Sequence, residues 1–96
     1  MDALTLKKHL NEGASILLLD VREAAEYEQS DKIEGSINIP MTRVLAEVNM
    51  GTIPKNMPIV TICRSGARAE MVAQVLKQKG YNIESLEGGM DAWSEV

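Results

Sequence analysis

The fold is decided by the stretch Pro58-Ile59-Val60-Thr61-Ile62-Cys63-Arg64-Ser65-Gly66-Ala67-Arg68. Its first half is apolar and rich in β-branched residues, which is typical of a strand buried inside a sheet. Cys63 ends that strand, and the five residues after it include two arginines and a glycine. The sequence therefore predicts a buried strand that delivers Cys63 to a polar loop.

A helix is predicted directly after this loop, because apolar residues recur there at positions i, i+3, i+4 and i+7. They are Ala69, Val72, Ala73 and Leu76, and Gly80 can end the helix. The rest of the chain alternates in the same way. Further strands are predicted over Ser15–Asp20, Gly35–Pro40 and Asn82–Leu86, and further helices over Glu23–Glu28, over Gly88–Glu95 and after the N-cap candidates Thr5 and Thr42.

Alternating strands and helices predict an α/β fold in which a central, mostly parallel sheet is covered by helices on both faces. The chain has 96 residues, so residues 1–96 are expected to form a single domain. In such three-layer α/β/α folds, ligands bind beyond the carboxyl ends of the strands. Cys63 lies at such an end.

Composition and charge exclude several function classes. Hydrophobic residues make up 45% of the chain and charged residues 25%, which is ordinary globular usage rather than that of a disordered chain. The net charge of -4 offers no basic field for nucleic acid or for an anionic membrane surface, so neither is an expected partner. No apolar run is long enough for a signal peptide or for a membrane span of about 20 residues, so we expect a cytoplasmic protein.

A single cysteine and a single histidine exclude an internal disulfide and the usual Cys/His zinc sites, so no metal site is expected. Cys63 instead lies where loop N–H groups and the start of a helix can favour a thiolate over a thiol. Gly66 allows a tight curl, and Arg64 and Arg68 add positive charge beside a bound anion. A buried, inert thiol is the alternative for Cys63, but the polar loop favours the reactive one.

Residues outside the loop are expected to support the fold. Asp20 ends the first strand and is predicted to accept backbone hydrogen bonds as a brace. Arg22 and Glu26 have i,i+4 spacing and could form an ion pair. His9 is expected on the surface, Trp93 is expected to pack the last helix against the sheet, and the scattered methionines are expected to fill the core.

Three motifs together resemble the rhodanese-like domain family. The loop Cys63-Arg64-Ser65-Gly66-Ala67-Arg68 fits the family pattern Cys-x-x-Gly-x-Arg position for position. The amino-terminal pattern of these domains is similar to Asp20-Val21-Arg22-Glu23, followed by Glu26-Tyr27 and Ile33-Glu34-Gly35-Ser36-Ile37-Asn38-Ile39-Pro40. The carboxyl-terminal pattern is similar to Leu86-Glu87-Gly88-Gly89-Met90-Asp91-Ala92-Trp93. The likeness covers essentially the whole chain in the right order.

The resemblance implies a thiosulfate sulfurtransferase of rhodanese-like fold. Cys63 would be the catalytic nucleophile and would carry sulfur as a persulfide. The substrate-binding residues would be Arg64, Ser65, Gly66, Ala67 and Arg68. The donor would be thiosulfate or another sulfane compound and the acceptor a thiol or cyanide, with no metal or organic cofactor. A protein could also be the sulfur partner, and the domain is expected to act as a monomer.

Two other functions stay open at this point. A non-catalytic binding module or sulfur carrier would have the same loop with slow turnover. A cysteine phosphatase would share the fold and the anion cradle, but phosphatases of this kind have five residues between the cysteine and the arginine, whereas Cys63 and Arg68 enclose four. The loop also provides no general acid for a phosphate leaving group, so the sequence favours sulfur transfer.

Overall fold

The computed structural model describes residues 1–96 and shows strands and helices alternating along the chain. The strands are β1 (Leu17–Asp20), β2 (Ile37–Asn38), β3 (Ile59–Ile62) and β4 (Ile83–Ser85). The helices are α1 (Ala3–Asn11), α2 (Ala24–Gln29), α3 (Val44–Asn49), α4 (Ala67–Gln78) and α5 (Gly89–Trp93), and a 3-10 turn, Met41–Arg43, leads into α3. All four strands are parallel, in the order β2-β1-β3-β4. This confirms the predicted α/β fold with a central parallel sheet.

The two central strands, β1 and β3, end at the same level of the sheet. Asp20, the last residue of β1, lies opposite Ile62, the last residue of β3. The Val21 backbone N–H extends the pairing by donating to the Ile62 carbonyl at 2.8 Å. The segments that follow the two strands, beginning at Val21 and Cys63, therefore leave the sheet side by side.

Each face of the sheet carries its own apolar cluster, because side chains alternate between the faces along a strand. The first cluster lies beneath α3 and α4 and includes Leu19, Ile59, Val44, Val72 and Leu76. The second lies beneath α1 and α5 and includes Leu18, Val60, Ile62, Leu6 and Met90, with Trp93 packed against it as predicted. Helices thus cover both faces, which confirms the three-layer arrangement. None of the helices has the length and apolarity that crossing a bilayer requires.

The starts of α1 and α3 differ from those predicted. Asp2, not Thr5, is the N-cap of α1, and its carboxylate accepts a hydrogen bond from the Thr5 backbone N–H at 2.7 Å. The helix begins earlier because Ala3 is buried against the sheet and therefore belongs to the packed face of α1. Thr42 lies inside the 3-10 turn and caps no helix.

The expectation that the methionines fill the core is wrong for several of them. Met90 is buried, but Met50 and Met71 are 63% and 60% exposed. Met71 lies on the outer side of α4, where it lines an apolar groove of about 230 Å³ together with Leu45 and Val75. The scarcity of aromatic residues therefore does not force every methionine inside.

We expect the substitution Thr61→Val to reduce the free energy of unfolding by about 1 kcal/mol. The Thr61 hydroxyl is fully buried and donates to the Ala69 carbonyl at 2.8 Å, which ties β3 to the first turn of α4. Valine has nearly the same shape but cannot donate. Chemical denaturation checks this, with the exposed Thr42→Val as a control that should shift stability by less than about 0.5 kcal/mol. Equal effects of the two substitutions would contradict the assignment.

Candidate active site

Cys63 lies immediately after β3 and is only 1% exposed. Its Sγ accepts hydrogen bonds from the backbone N–H of Gly66 at 3.0 Å and from that of Ala69 at 3.5 Å. Ala69 lies in the first turn of α4, where N–H groups have no partner inside the helix and the helix dipole is positive. Two backbone donors, one from the loop and one from the start of the helix, therefore face the sulfur, which is the arrangement of N–H groups that the sequence predicted.

Gly66 is the N-cap of α4 and makes the tight curl around the sulfur possible. Its φ angle is 108°, a backbone conformation that residues with a side chain rarely adopt. A Cβ atom at this position would also lie 3.2 Å from the Gly88 nitrogen. Both constraints favour glycine, so the predicted role of Gly66 agrees with its geometry.

The start of α5 holds the other side of the loop. The Met90 backbone N–H donates to the Cys63 carbonyl at 2.8 Å, and the Asp91 N–H donates to the Arg64 carbonyl at 3.0 Å. Gly89 lies so close that a Cβ atom there would overlap both carbonyls, with the Arg64 oxygen at 2.6 Å. The sequence patterns did not predict this role. The available signal was the adjacent pair Gly88-Gly89 at the start of a short helix.

Arg68 reaches across to α2 instead of remaining free. Its Nη1 and Nη2 donate to Oε1 and Oε2 of Glu26 at 2.7 and 3.0 Å, which is a bidentate ion pair. The hydrogen bonds from Arg68 lower the pKa of Glu26 to about 2. The predicted i,i+4 ion pair between Arg22 and Glu26 is therefore wrong, because Glu26 is occupied by a loop residue far away in sequence.

Asp20 is a brace, as predicted, and its partner is Arg22. The Asp20 Oδ1 accepts the Arg22 backbone N–H at 3.0 Å, while Oδ2 pairs with Arg22 Nη2 at 2.8 Å. The Asp20 hydrogen bonds raise the pKa of Arg22, and both residues are buried. This neutralised pair lies beside the Cys63 loop because β1 and β3 end together.

The remaining loop residues, Arg64, Ser65 and Ala67, are exposed. Arg64 lies 3.8 Å from Asp91, measured between Nε and Oδ1, and its side chain is 76% exposed. Next to it is a polar cavity of about 320 Å³ that Glu26 also lines. The five residues predicted to bind substrate thus form one loop next to Cys63. Of these five, Gly66 directs its backbone N–H at the sulfur, and the side chains of Arg64, Ser65 and Ala67 are exposed.

His9 lies away from Cys63, at the amino-terminal edge of the sheet. It lines a cavity together with Pro58 and Asn82, which precede β3 and β4. Cys63 follows the opposite end of β3, so His9 is too remote to act as its base. No group of three or more His, Cys, Asp or Glu side chains is arranged so that it could hold a metal ion.

Comparison with known proteins identifies the family. The family model described as Rhodanese-like domain matches residues 2–96. The chain belongs to the rhodanese-like domain family. A sulfurtransferase of Allochromatium vinosum is 36% identical to it over 95 residues, which cover 98% of this chain and 86% of the relative.

This rhodanese-like domain also matches part of longer proteins. YrkF of Bacillus subtilis, provisionally named a sulfur carrier protein, is 35% identical over 89 residues, but these span only 46% of YrkF. A solved rhodanese-related protein from Thermoplasma volcanium superposes with a TM-score of 0.87 at 29% identity and covers 99% of this chain and 89% of that one. The resemblance stated from the three motifs is confirmed.

We expect Gly89→Ala to destabilise the domain by more than about 2 kcal/mol, because the new methyl group combines backbone strain with steric overlap. Its Cβ would meet the Cys63 and Arg64 carbonyls, and its φ angle is 55°. Gly51→Ala is the matched control, since Gly51 has a φ of 72° but a methyl group added there would have no atom within 4 Å. Urea unfolding should show the smaller loss for Gly51→Ala. A Gly89→Ala protein as stable as this control would refute the close approach.

We expect the stability advantage of the wild type over Glu26→Gln to depend on pH. The pKa of Glu26 is lowered from 4.5 to about 2, so its ion pair stabilises the fold fully above pH 4.5 and is lost as pH falls through 2. The side chain is 38% exposed, so the advantage should stay below about 1 kcal/mol. Denaturation curves between about pH 3 and 7 measure it. Glu28→Gln, an exposed site on α2, should show no such trend.

Proposed function

We propose that this rhodanese-like domain is a sulfurtransferase that carries sulfane sulfur as a persulfide on Cys63. The observation that carries the proposal is the pair of N–H groups, from Gly66 and Ala69, that donate to Cys63 Sγ. Backbone N–H groups placed in this way can stabilise negative charge on the sulfur as it attacks a donor or leaves a persulfide. A sulfurtransferase and a provisionally named sulfur carrier among its relatives support the same chemistry.

In the first half of the proposed reaction, the Cys63 thiolate attacks the outer sulfur of thiosulfate. A new bond forms between the two sulfur atoms as the bond from the outer sulfur to the sulfonate sulfur breaks. Sulfite leaves with that electron pair, and Cys63 becomes a persulfide whose terminal sulfur is negative. Loop N–H donors would stabilise the charge on this sulfur in place of water.

In the second half, a thiol or cyanide attacks the terminal sulfur of the persulfide. The bond between this sulfur and Cys63 Sγ breaks, and its electrons return to Cys63 as a thiolate. Cyanide gives thiocyanate, and a thiol gives a new persulfide. The same Gly66 and Ala69 donors stabilise the departing thiolate, so one set of groups serves both halves without a metal, an organic cofactor or a general base.

The loop residues Arg64, Ser65, Gly66, Ala67 and Arg68 are proposed to bind the donor. Gly66 would act through its backbone N–H, and the exposed residues would act at the rim of the loop. The physiological acceptor is proposed to be a small thiol or a protein partner. Action as a monomer in the cytoplasm stays a prediction.

A second candidate is a sulfur carrier that holds the persulfide for a partner protein and turns over slowly by itself. The likeness to YrkF favours this possibility, although the chain spans less than half of YrkF. Both candidates need the same Cys63 persulfide. They differ only in how fast a free acceptor removes its sulfur.

We expect the protein to gain the mass of one sulfur atom after treatment with thiosulfate, and to lose it again when cyanide is added. Cys63→Ser should gain nothing, because a serine hydroxyl is not ionised at neutral pH and forms no persulfide. Intact-protein mass spectrometry measures both states. An unchanged mass in the wild type both with thiosulfate and with a monoanionic thiosulfonate would reject the enzyme and the carrier alike.

The amount of thiocyanate formed from cyanide then distinguishes the enzyme from the sulfur carrier. Continuous release over many turnovers indicates an enzyme, whereas one equivalent per protein indicates a carrier. Hydrolysis of an aryl phosphate well above the Cys63→Ser background would instead support a phosphatase.

A further inference from the structure

Both arginines of the Cys63 loop are paired with carboxylates from other elements. Arg68 forms the bidentate ion pair with Glu26, and Arg64 lies 3.8 Å from Asp91. The whole chain also carries a net charge of -4. The positive charge that the two arginines could offer to an anionic sulfur donor is therefore largely offset before any donor arrives.

The pair of Arg68 with Glu26 is the tighter of the two. Its side chains are 32% and 38% exposed, against 76% and 65% for Arg64 and Asp91, so water screens it less. The pKa of Arg68 is raised mainly by its hydrogen bonds to Glu26. Arg68 directly precedes Ala69, whose backbone N–H donates to Cys63 Sγ at 3.5 Å. Arg68 is therefore the half-buried cation of the loop beside the sulfur, and Glu26 is the group that offsets its charge.

We propose that Glu26 is a specificity-determining residue, because its carboxylate cancels the charge of Arg68 beside Cys63 and so disfavours dianionic sulfur donors. The inference rests on the proposed function and narrows its substrate class. The preferred donor would carry one negative charge, as a persulfide or a thiosulfonate does, rather than the two of thiosulfate. Glu26 exerts this effect throughout the neutral range, since its pKa is about 2.

The dependence of kcat/KM on the charge of the donor distinguishes an electrostatic role of Glu26 from a merely structural one. The Coulomb energy between a fixed charge and a donor is proportional to the donor's charge. Removing the charge of Glu26 should therefore change the logarithm of kcat/KM about twice as much for a dianion as for a monoanion. Loss of structure would instead lower kcat/KM for both donors by a similar factor.

Glutamine at position 26 keeps the shape of the site. Its side-chain oxygen can still accept a hydrogen bond from Arg68. It can also replace the Glu26 oxygen that receives the Glu23 backbone N–H at 3.4 Å in the capping box of α2. The amide NH2 group of glutamine cannot accept the second hydrogen bond of Arg68. Glu26→Gln thus removes the charge, keeps the size of the side chain and keeps one of the two hydrogen bonds of the ion pair.

Thiosulfate and methanethiosulfonate are a suitable pair of donors. In each case the Cys63 thiolate attacks the outer sulfur, and the bond from that sulfur to the sulfonyl sulfur breaks. Sulfite leaves as a dianion in the first case and methanesulfinate as a monoanion in the second, each with the bonding electrons. The Cys63 persulfide is the same in both. The two donors differ in that a methyl group of methanethiosulfonate replaces one anionic oxygen of thiosulfate, which removes one charge from the donor and from the leaving group.

The experiment measures kcat/KM with both donors at low ionic strength for the wild type, Glu26→Gln and Glu28→Gln. We expect Glu26→Gln to raise kcat/KM by about 3- to 10-fold for thiosulfate and by about 2- to 3-fold for methanethiosulfonate. Glu28→Gln makes the same change in net charge on the same helix, and its two values should stay within about twofold of the wild type. Equal changes for both donors in Glu26→Gln, or a fall with thiosulfate, would overturn the proposal.

A salt titration of the wild type tests the same point without any substitution. With Arg68 offset, kcat/KM for thiosulfate should stay level or rise as salt is added, whereas an unbalanced cation would make it fall steeply. A steep fall therefore counts against the role of Glu26.

The two proposals fail in different ways. If the wild type takes no sulfur from either donor, the proposed function itself fails. If it takes sulfur but Glu26→Gln leaves the ratio of kcat/KM for the two donors unchanged, only the inference on Glu26 fails.

Discussion

Parallel pairing of β1 with β3 brings two distant segments of the chain to one edge of the sheet. Because Asp20 lies opposite Ile62, the chain leaves β1 directly beside the start of the Cys63 loop. The helix that follows β1 can then carry Glu26 to Arg68. A slip of one residue would turn every side chain of the strand to the opposite face. The register of two short strands thus decides which carboxylate meets which arginine.

The backbone N–H groups and the backbone carbonyls of the Cys63 loop have different partners. The N–H groups of Gly66 and Ala69 point at the sulfur, whereas the carbonyls of Cys63 and Arg64 are bound by the start of α5. Negative carbonyl oxygens are thereby held by other donors while positive N–H groups face the candidate nucleophile. Backbone dipoles need no reorientation when a charge develops, which makes them better suited to this task than mobile side chains.

Sequence patterns predicted the features that depend on near neighbours. The strand that ends at Cys63, the buried face of α4 and the brace at Asp20 all follow from local periodicity or turn chemistry. The partner of Glu26 could not be found in this way, because Arg22 satisfies the local spacing rule while Arg68 is brought near only by the fold. The contact of Gly89 with the loop also depends on tertiary structure. Two adjacent glycines indicate that the backbone can adopt unusual conformations, but they do not indicate which part of the protein it contacts.

Contacts at both ends of the Cys63 loop also limit how its length can vary. Its first two carbonyls are held by α5, and its last side chain is held by Glu26 on α2. An inserted residue would have to bulge away from the sulfur or pull one of these contacts apart. The number of residues between Cys63 and Arg68 is therefore constrained by three segments together, namely the loop itself, α5 and α2. Changing this cradle to fit a larger anion, in evolution or by design, would require coordinated changes in all three.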